Sequence, residues 1–368
     1  MMENTLNAVV YCEGAFNTSN GKTAHGLVRF GRRYRVVAVV DSSLEGRDAG
    51  EVLDGATNDI PIVGSVDEAF KAWAARGAGA GAITHFVVGL APDGGRLSAE
   101  ARGDVARAIE AGLNVDCGLH DFLTEDAEFV SLAEKHNVEL RDIRKPPPRA
   151  DQHFFTGEIE EVEAFRIAVL GTDSAVGKRT TAWKLVEAFE RNGMKAEMVG
   201  TGQTAWLQGA RYGVMMDALV NDFVAGEIEH AVVSAWRNEK PEVIVIEGQG
   251  SLLNPAYPGG MEILASARPD IIVLQHAPAR IDYDGFPGYP IQPLARQIAA
   301  LEAVSEAPVA AIAINHEGMS RESIPAVCYA IERAFGVPTR DVLIDGVGEM
   351  AEAISRRVKH RPKNRKNR

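Results

Sequence analysis

Phe165-Arg-Ile-Ala-Val-Leu-Gly-Thr-Asp-Ser-Ala-Val-Gly-Lys-Arg-Thr-Thr181 decides the fold of this 368-residue chain. The apolar run at residues 167–170 predicts a buried parallel strand, and the spacing of apolar residues over 179–191 predicts a helix. Such a strand–turn–helix directs backbone N–H groups, the positive end of the helix and the Lys178 ammonium at one point. The sequence therefore predicts a pocket for phosphate groups.

This turn departs in two ways from the usual phosphate-binding loop. Its glycines, Gly171 and Gly177, follow a G-x5-G rather than a G-x4-G spacing, and Arg179 stands between Lys178 and the first threonine. The Ser or Thr that normally follows the lysine and binds Mg²⁺ is therefore missing. The loop favours phosphate binding over phosphoryl transfer.

Length and composition favour two domains and a small-molecule substrate. A chain of 368 residues is long for one core. The chain has no run of 18 apolar residues, its three cysteines are scattered, and its first residues lack a basic and apolar leader. We therefore expect a cytoplasmic protein with reduced thiols and no membrane contact. We also expect a homo-oligomer, because most soluble oligomers are symmetric assemblies of one chain. The net charge is −12 although residues 356–368 hold eight Lys or Arg and no acid, so the acidic body should repel nucleic acid.

The first half alternates short apolar runs with helical spacing, the pattern of a doubly wound α/β domain. Strands are predicted over residues 8–12, 34–40, 60–63, 85–90 and 114–117, and helices over 66–76 and 98–111. The turn after the first strand lacks a G-x-G-x-x-G pattern, which argues against a competent dinucleotide site. Asp41, at the end of the second strand, is therefore interpreted as a capping or turn residue rather than a ribose ligand.

Lys145-Pro-Pro-Pro-Arg149 marks the domain boundary, because a proline run continues neither a helix nor a central strand. The predicted organisation is an α/β domain at 1–148, a linker at 149–164, a parallel-sheet P-loop α/β domain at 165–355 and a basic tail at 356–368. Further strands of the second domain are predicted over 195–199, 243–246, 271–274, 309–314 and 342–344. The carboxyl ends of such strands line one crevice, where ligands bind.

Glu247 and the turn that follows strand 195–199 supply the first candidates for chemistry. Glu247 lies at the tip of a buried strand and precedes Gly-Gln-Gly, so it is placed to position Mg²⁺, a water or an amine, or to act as a base. Thr201 and Gln203 lie in a Gly/Thr-rich turn that either binds a small polar ligand or is purely structural. Asp217 and Asn221 are predicted on one face of a helix over 214–236, where acids also suit the helix dipole.

Three further candidates follow later strands. His276 is a candidate general base or phosphate contact, with a structural role equally open. Arg280 can pair with a carboxylate or phosphate through two parallel hydrogen bonds. Asn315 carries an amide suited to reading an adenine edge. The remaining histidines form no cluster with the spacing of metal ligands, so we expect no metal site.

Several sequence motifs of the second half carry a family resemblance. Gly171-Thr-Asp-Ser-Ala-Val-Gly-Lys178 with Ile246-Glu-Gly-Gln-Gly250 resembles the paired signature of dethiobiotin synthetase, a P-loop ligase. The chain is more similar to a P-loop family described as D-glutamate, or more broadly D-amino acid, N-acetyltransferases. The motifs that carry this closer resemblance are Gly171 to Ala182, Thr201-Gly-Gln-Thr204, Asp217-Ala-Leu-Val-Asn-Asp-Phe223, Glu247-Gly-Gln-Gly250, Asn254-Pro-Ala-Tyr-Pro258 and Gln275-His-Ala-Pro-Ala-Arg280. The first half resembles the Rossmann-like N-terminal domain of that family by layout.

The resemblance implies transfer of acetyl from acetyl-CoA to the amino group of a D-amino acid, D-glutamate being the first expectation. The loop would then clamp the phosphates of coenzyme A. The implied cofactor-binding residues are Gly171, Thr172, Asp173, Ser174, Ala175, Val176, Gly177, Lys178, Arg179, Thr180 and Asn315. The implied catalytic residues are Lys178, Glu247, His276 and Asp217, with the proton acceptor left open among the last three. Thr201, Gln203 and Arg280 are the implied substrate-binding residues, with Arg280 on the side-chain carboxylate.

Two other readings remain open from the sequence. An ATP-dependent ligase or kinase of the dethiobiotin synthetase type would require Mg²⁺ with ATP and act on a small carboxylate. A nucleotide-binding regulator would bind ADP or ATP without turnover. Arg179 at the usual position of the metal-binding hydroxyl speaks against the ligase.

Overall fold

The structure, a computed structural model, describes residues 6–77 and 81–360 and divides into two compact units. The first unit comprises Met1–Pro146 and Gln203–Gly209, and the second comprises Pro147–Gly202 and Ala210–Arg368. The predicted boundaries at 148, 164 and 355 stay predictions. Of the predicted basic tail, residues 361–368 lie outside the described residues.

The first unit contains a six-stranded parallel sheet in the order β3-β2-β1-β4-β5-β6. Its strands are β1 (Leu6–Tyr11), β2 (Tyr34–Val40), β3 (Ile62–Val63), β4 (His85–Val88), β5 (Asn114–Cys117) and β6 (Leu140–Asp142). Its helices are α1 (Lys22–Arg29), α2 (Ala49–Asp54), α3 (Val66–Ala74), α4 (Ala99–Glu110) and α5 (Ala127–His136). Strand β4 is buried along its whole length and β1 is buried from Ala8 to Tyr11, as expected at the centre of a parallel sheet covered on both faces.

Asp41 has the capping role that the sequence indicated. Its carboxylate accepts from Ser43 N at 3.0 Å, where a short 3₁₀ turn begins, and from Phe16 N at 2.9 Å. Both contacts fix the chain at the carboxyl edge of the first sheet, so the cap interpretation is confirmed.

The second unit contains a seven-stranded parallel sheet in the order β13-β12-β11-β7-β10-β8-β9. Its strands are β7 (Phe165–Gly171), β8 (Ala196–Gly200), β9 (Tyr212–Gly213), β10 (Val243–Glu247), β11 (Ile271–His276), β12 (Val309–Ile314) and β13 (Thr339–Asp341). Its helices are α6 (Lys178–Arg191), α8 (Asn221–Glu239), α9 (Gly260–Ala267), α10 (Leu294–Ser305), α11 (Ile324–Phe335) and α12 (Gly348–Lys359). The phosphate-loop strand β7 is central, which places its loop at the middle of the carboxyl edge.

Helix α7 (Gln203–Gln208) belongs to the first unit although its neighbours in sequence belong to the second. The guanidinium of Arg33 lies over the Trp206 ring, 3.8 Å from its centroid. Gln208 donates from Nε2 to Gly26 O at 2.7 Å, and the hydroxyls of Thr23 and Thr204 are 3.1 Å apart. These contacts attach the helix to the first unit.

Two predicted elements were wrong in position. The helix expected from residue 214 begins at Asn221, because residues 212–214 instead pair with β8, with Val214 N donating to Gly200 O at 2.9 Å. The strand expected over 342–344 is Thr339–Asp341. The apolar side chains of Leu343 and Ile344 are exposed, and their backbone N–H groups cap the Asp341 carboxylate.

Within the described residues, no helix combines the length and the apolar character needed to cross a bilayer.

Candidate functional site

The loop between β7 and α6 has the backbone of an anion cradle. Ala175 and Gly177 have φ values of +53° and +105°, in the left-handed region, and α6 begins directly afterwards at Lys178. Successive N–H groups in such turns converge, and the first N–H groups of a helix lack intrahelical acceptors. A Cβ on Gly171 would lie 2.9 Å from Lys178 Cδ, so the absent side chain leaves room for the lysine stem.

Lys178 is the cation at the centre of the cradle. Its side chain is buried, and Nζ donates to Asp173 O at 2.7 Å. Burial lowers the pKa of Lys178 to about 8, while Glu247 and Asp173 act in the opposite direction. The ammonium is therefore costly to keep charged in the free protein, and an incoming anion would stabilise it.

The Asp173 carboxylate holds the loop together. Its fully buried carboxylate accepts from Ser174 N at 2.7 Å, and from Asn254 Nδ2, Arg280 Nη1 and Asp284 N at 2.8 Å each. Four donors occupy the carboxylate, and a bare carboxylate would repel a phosphate. These contacts give the Asp173 side chain a positioning role in the loop, and the predicted contact of this residue with the cofactor stays a prediction.

Arg280 is engaged by the protein on every side of its guanidinium. Besides Asp173, it donates to Ser174 O at 2.7 Å and to Glu317 Oε1 at 2.6 Å, and only 14% of its side chain is exposed. Neighbouring carboxylates raise the pKa of Arg280 against the effect of burial. The geometry gives Arg280 a structural role in the loop. Its predicted contact with a substrate carboxylate would require exchanging Glu317.

Asn315 ties the end of β12 to the same loop. Its Nδ2 donates to Val176 O at 3.1 Å, and its Oδ1 accepts from Glu317 N at 3.0 Å. Both ends of the amide are therefore used within the protein. To read an adenine edge, the amide would have to exchange these partners, so that role stays a prediction.

Glu247 lies at the tip of β10, beside Lys178 and Arg179. Its buried carboxylate accepts from Thr201 N at 3.0 Å, and the Thr201 hydroxyl donates to Glu247 O at 3.2 Å. Burial raises the pKa of Glu247, opposed by Arg179, by the Thr201 N–H and by Lys178. Burial lowers the pKa of Arg179, and Glu247 acts in the opposite direction. Arg179 Nε is one of eight buried side-chain atoms among the described residues that lack a hydrogen-bond partner.

His276, at the end of β11, stands on the other flank of the loop. Its Nδ1 is 3.0 Å from the Thr172 hydroxyl, and burial lowers the pKa of His276 to about 4. The ring is therefore neutral near pH 7, and it is a weak base because its conjugate acid gives up the proton too readily. The Thr181 hydroxyl donates to Gln275 Oε1 and is thereby also engaged.

Most of the predicted residues meet at this edge of the second sheet, but two do not join them there. Gln203 begins α7 in the first unit. Asp217 is exposed and lies in a 3₁₀ turn (Met216–Ala218) before α8, so the predicted helix face shared with Asn221 is wrong. Sequence reasoning assigned no role to the side chains that support the loop from other elements, namely Asn254, Gln275, Gln297 and Glu317.

The fold and the loop together define a two-domain protein with a Rossmann-like first domain and a P-loop second domain. Residues 42–146 match the Rossmann-like domain DUF1611_N, and residues 153–351 match the P-loop domain DUF1611_C, both described as domains of unknown function. The chain belongs to the DUF1611 family.

Relatives of this family carry a named activity. A D-glutamate N-acetyltransferase of a Pseudoalteromonas species is 35% identical over 269 residues, covering 71% of this chain and 78% of the relative. A D-glutamate N-acetyltransferase of Tritonibacter scottomollicae is 32% identical over 285 residues, covering 75% and 82%. The crystal structure of a DUF1611 family protein from Anabaena variabilis superposes with a TM-score of 0.86 at 27% identity, covering 96% of this chain and all of that one. The chain is thus an enzyme of the acyltransferase class.

Proposed function

We propose that this protein transfers acetyl from acetyl-CoA to the amino group of D-glutamate, and that the P-loop binds the phosphates of coenzyme A. The names of the two relatives support the acceptor and the reaction. The observation that carries the role of the loop is that two adjacent cations, Lys178 and Arg179, begin the helix that follows it.

The cradle fits a pyrophosphate or phosphate. It offers left-handed turns at Ala175 and Gly177, a buried lysine, and a buried arginine Nε that has no acceptor among the described residues. Glu247 balances one of these two cations. Arg179 stands where a metal-binding hydroxyl would follow the lysine, so it supplies positive charge at that position itself.

The phosphates and the acetyl group of acetyl-CoA lie at opposite ends of a long arm. The arm of coenzyme A between pyrophosphate and sulfur is comparable with four to five extended residues, roughly 15 Å. Groups that contact the phosphates therefore do not reach the transferred acetyl group when the arm is extended. Lys178, Glu247 and His276, predicted as catalytic, are assigned here to the phosphate end.

The reaction then needs three things away from the cradle. The thioester supplies an activated acetyl group. The protein must remove a proton from the ammonium form of the acceptor, so that the nitrogen lone pair becomes free to attack, and must offer donors to the negative charge that develops on the carbonyl oxygen.

Thiol release from acetyl-CoA tests this proposal. The purified protein is given D-glutamate, L-glutamate or no amino acid, each with and without Mg-ATP, and N-acetylglutamate is followed by mass spectrometry. Thiol release that requires D-glutamate and ignores ATP is expected. ADP formation that requires a carboxylate substrate, without thiol release, would reject the proposal in favour of an ATP-dependent ligase.

A further inference from the structure

A histidine–carboxylate pair lies at the same sheet edge and takes no part in the phosphate cradle. His316 follows β12, and its Nδ1 is 2.7 Å from Asp341 Oδ2 at the end of β13. Asp341 is fully buried, and its second oxygen accepts from Leu343 N and Ile344 N at 3.0 Å each. The carboxylate is therefore fixed, while about a third of the His316 side chain (34%) is exposed.

The pair orients the imidazole for proton transfer. A carboxylate at Nδ1 accepts the ring N–H there, so in the neutral ring Nε2 carries the free lone pair. Nε2 lies across the ring from Asp341. A buried carboxylate that holds a histidine in one tautomer, with the other nitrogen free, is the arrangement that general-base histidines use.

His316 lies within the reach of the cofactor arm. It follows β12, and the sheet runs β7, β11, β12, so β12 is two strands from the phosphate-loop strand. With about 4.8 Å between neighbouring strands, this is about 10 Å, shorter than the roughly 15 Å arm. The contact of Asn315 Nδ2 with Val176 O fixes the residue before His316 against the phosphate loop.

The carboxylates at the pair suit a histidine that takes up a proton. Besides Asp341, Asp345 lies on the adjoining segment, and its Oδ2 accepts from Asp341 N at 3.1 Å. Glu317, the residue after His316, is instead paired with Arg280. A carboxylate in contact with the ring stabilises the imidazolium that forms when His316 is protonated.

We propose that His316, oriented by Asp341, is the group that takes the proton from the acceptor amine; this inference rests on the proposed acetyl transfer. The amine nitrogen attacks the thioester carbonyl carbon as the C–N bond forms and the C–S bond breaks. The electron pair of the C–S bond leaves with sulfur. His316 Nε2 takes the first proton from the bound ammonium, which frees the nitrogen lone pair for attack, and passes it to solvent, which restores the neutral ring. The second proton leaves the nitrogen as the amide forms and protonates the thiolate.

The test compares His316→Gln and His316→Ala with wild type and with His360→Gln, a control at an exposed histidine after α12. Turnover is measured as D-glutamate-dependent thiol release, CoA affinity by calorimetry, and folding by thermal melting. We expect kcat of both His316 variants to fall about 10²–10⁴-fold, as for a lost general base. CoA affinity should stay within about twofold of wild type, and added imidazole should restore part of the His316→Ala turnover.

His316→Gln turnover within threefold of wild type would overturn the assignment. A fall in turnover matched by an equal fall in CoA affinity would overturn it as well, because the residue would then bind the cofactor. If His316→Gln does not fold, imidazole rescue of His316→Ala decides alone: rescue supports the assignment and its absence overturns it. A wild-type protein without D-glutamate-dependent thiol release would reject the proposed function itself, a result that the wild-type arm shows separately.

Discussion

Replacing Asp173 by Asn removes the charge that organises the phosphate loop. The four donors on this buried carboxylate are arranged two to each oxygen, with Ser174 N and Asn254 Nδ2 on Oδ1 and Arg280 Nη1 and Asp284 N on Oδ2. An asparagine amide presents one oxygen and one NH₂ group. Whichever way it turns, two of the four donors therefore face a donor instead of an acceptor.

The expected loss follows from these two contacts. Hydrogen bonds to a charged group contribute about 1.5–3 kcal/mol each, so Asp173→Asn should lower the free energy of unfolding by about 3–6 kcal/mol. For a domain of this size the melting temperature should fall by roughly 10–20 °C. Chemical denaturation and thermal melting of the second unit measure both quantities. Asp222→Asn, at an exposed acid in the first turn of α8, is the matched control and should change stability by less than about 1 kcal/mol. A loss below about 1 kcal/mol for Asp173→Asn would refute the account of the loop.

Three further predictions follow. Because the pKa of Lys178 is lowered to about 8, CoA affinity should fall as the pH rises above 8. Binding in that range should take up a proton, which calorimetry in two buffers measures. A CoA affinity that does not change between pH 7 and pH 9 would contradict this. Gly177→Ala, at φ +105°, should cost about 1–2 kcal/mol and weaken CoA binding, whereas Gly336→Ala, at φ +69° after α11, should cost a similar amount and leave affinity unchanged. Trp206→Ala should lower the free energy of unfolding of the first unit by about 2–3 kcal/mol, measured by denaturation. Trp206→Phe should lower it by less, because a phenyl ring retains part of the contact with Arg33. Equal losses of unfolding free energy for the two variants would exclude a contribution from that contact.

Local signals predicted the central part of the site well. The apolar run at 167–170, the glycines and the periodicity after Arg179 depend on near neighbours in sequence, and β7, the loop and α6 follow them closely. The acid at the tip of β10 was also placed correctly, because the carboxyl ends of parallel strands share one edge of the sheet.

Contacts between distant residues explain what the sequence did not reveal. Residues 212–214 pair with β8 and so do not begin α8, and no local pattern shows that pairing. The hydrogen-bond donors to the Asp173 carboxylate include the backbone N–H of residue 284, which is far away in sequence. His316 and Asp341 are 25 residues apart, at the carboxyl ends of neighbouring strands. Asp341 also explains why the apolar residues after it form an exposed turn instead of a strand.

The affinity of Lys178→Ala for acetyl-CoA tests whether the loop holds the phosphates of coenzyme A, because this measurement does not require turnover. Lys184→Ala, on the same helix α6, is the matched control. We expect the dissociation constant to rise about 10- to 100-fold for Lys178→Ala, because a charge-assisted contact to phosphate is lost, and to stay unchanged for Lys184→Ala. A folded Lys178→Ala protein that binds acetyl-CoA as tightly as wild type would contradict the claim that this loop holds the phosphates of coenzyme A.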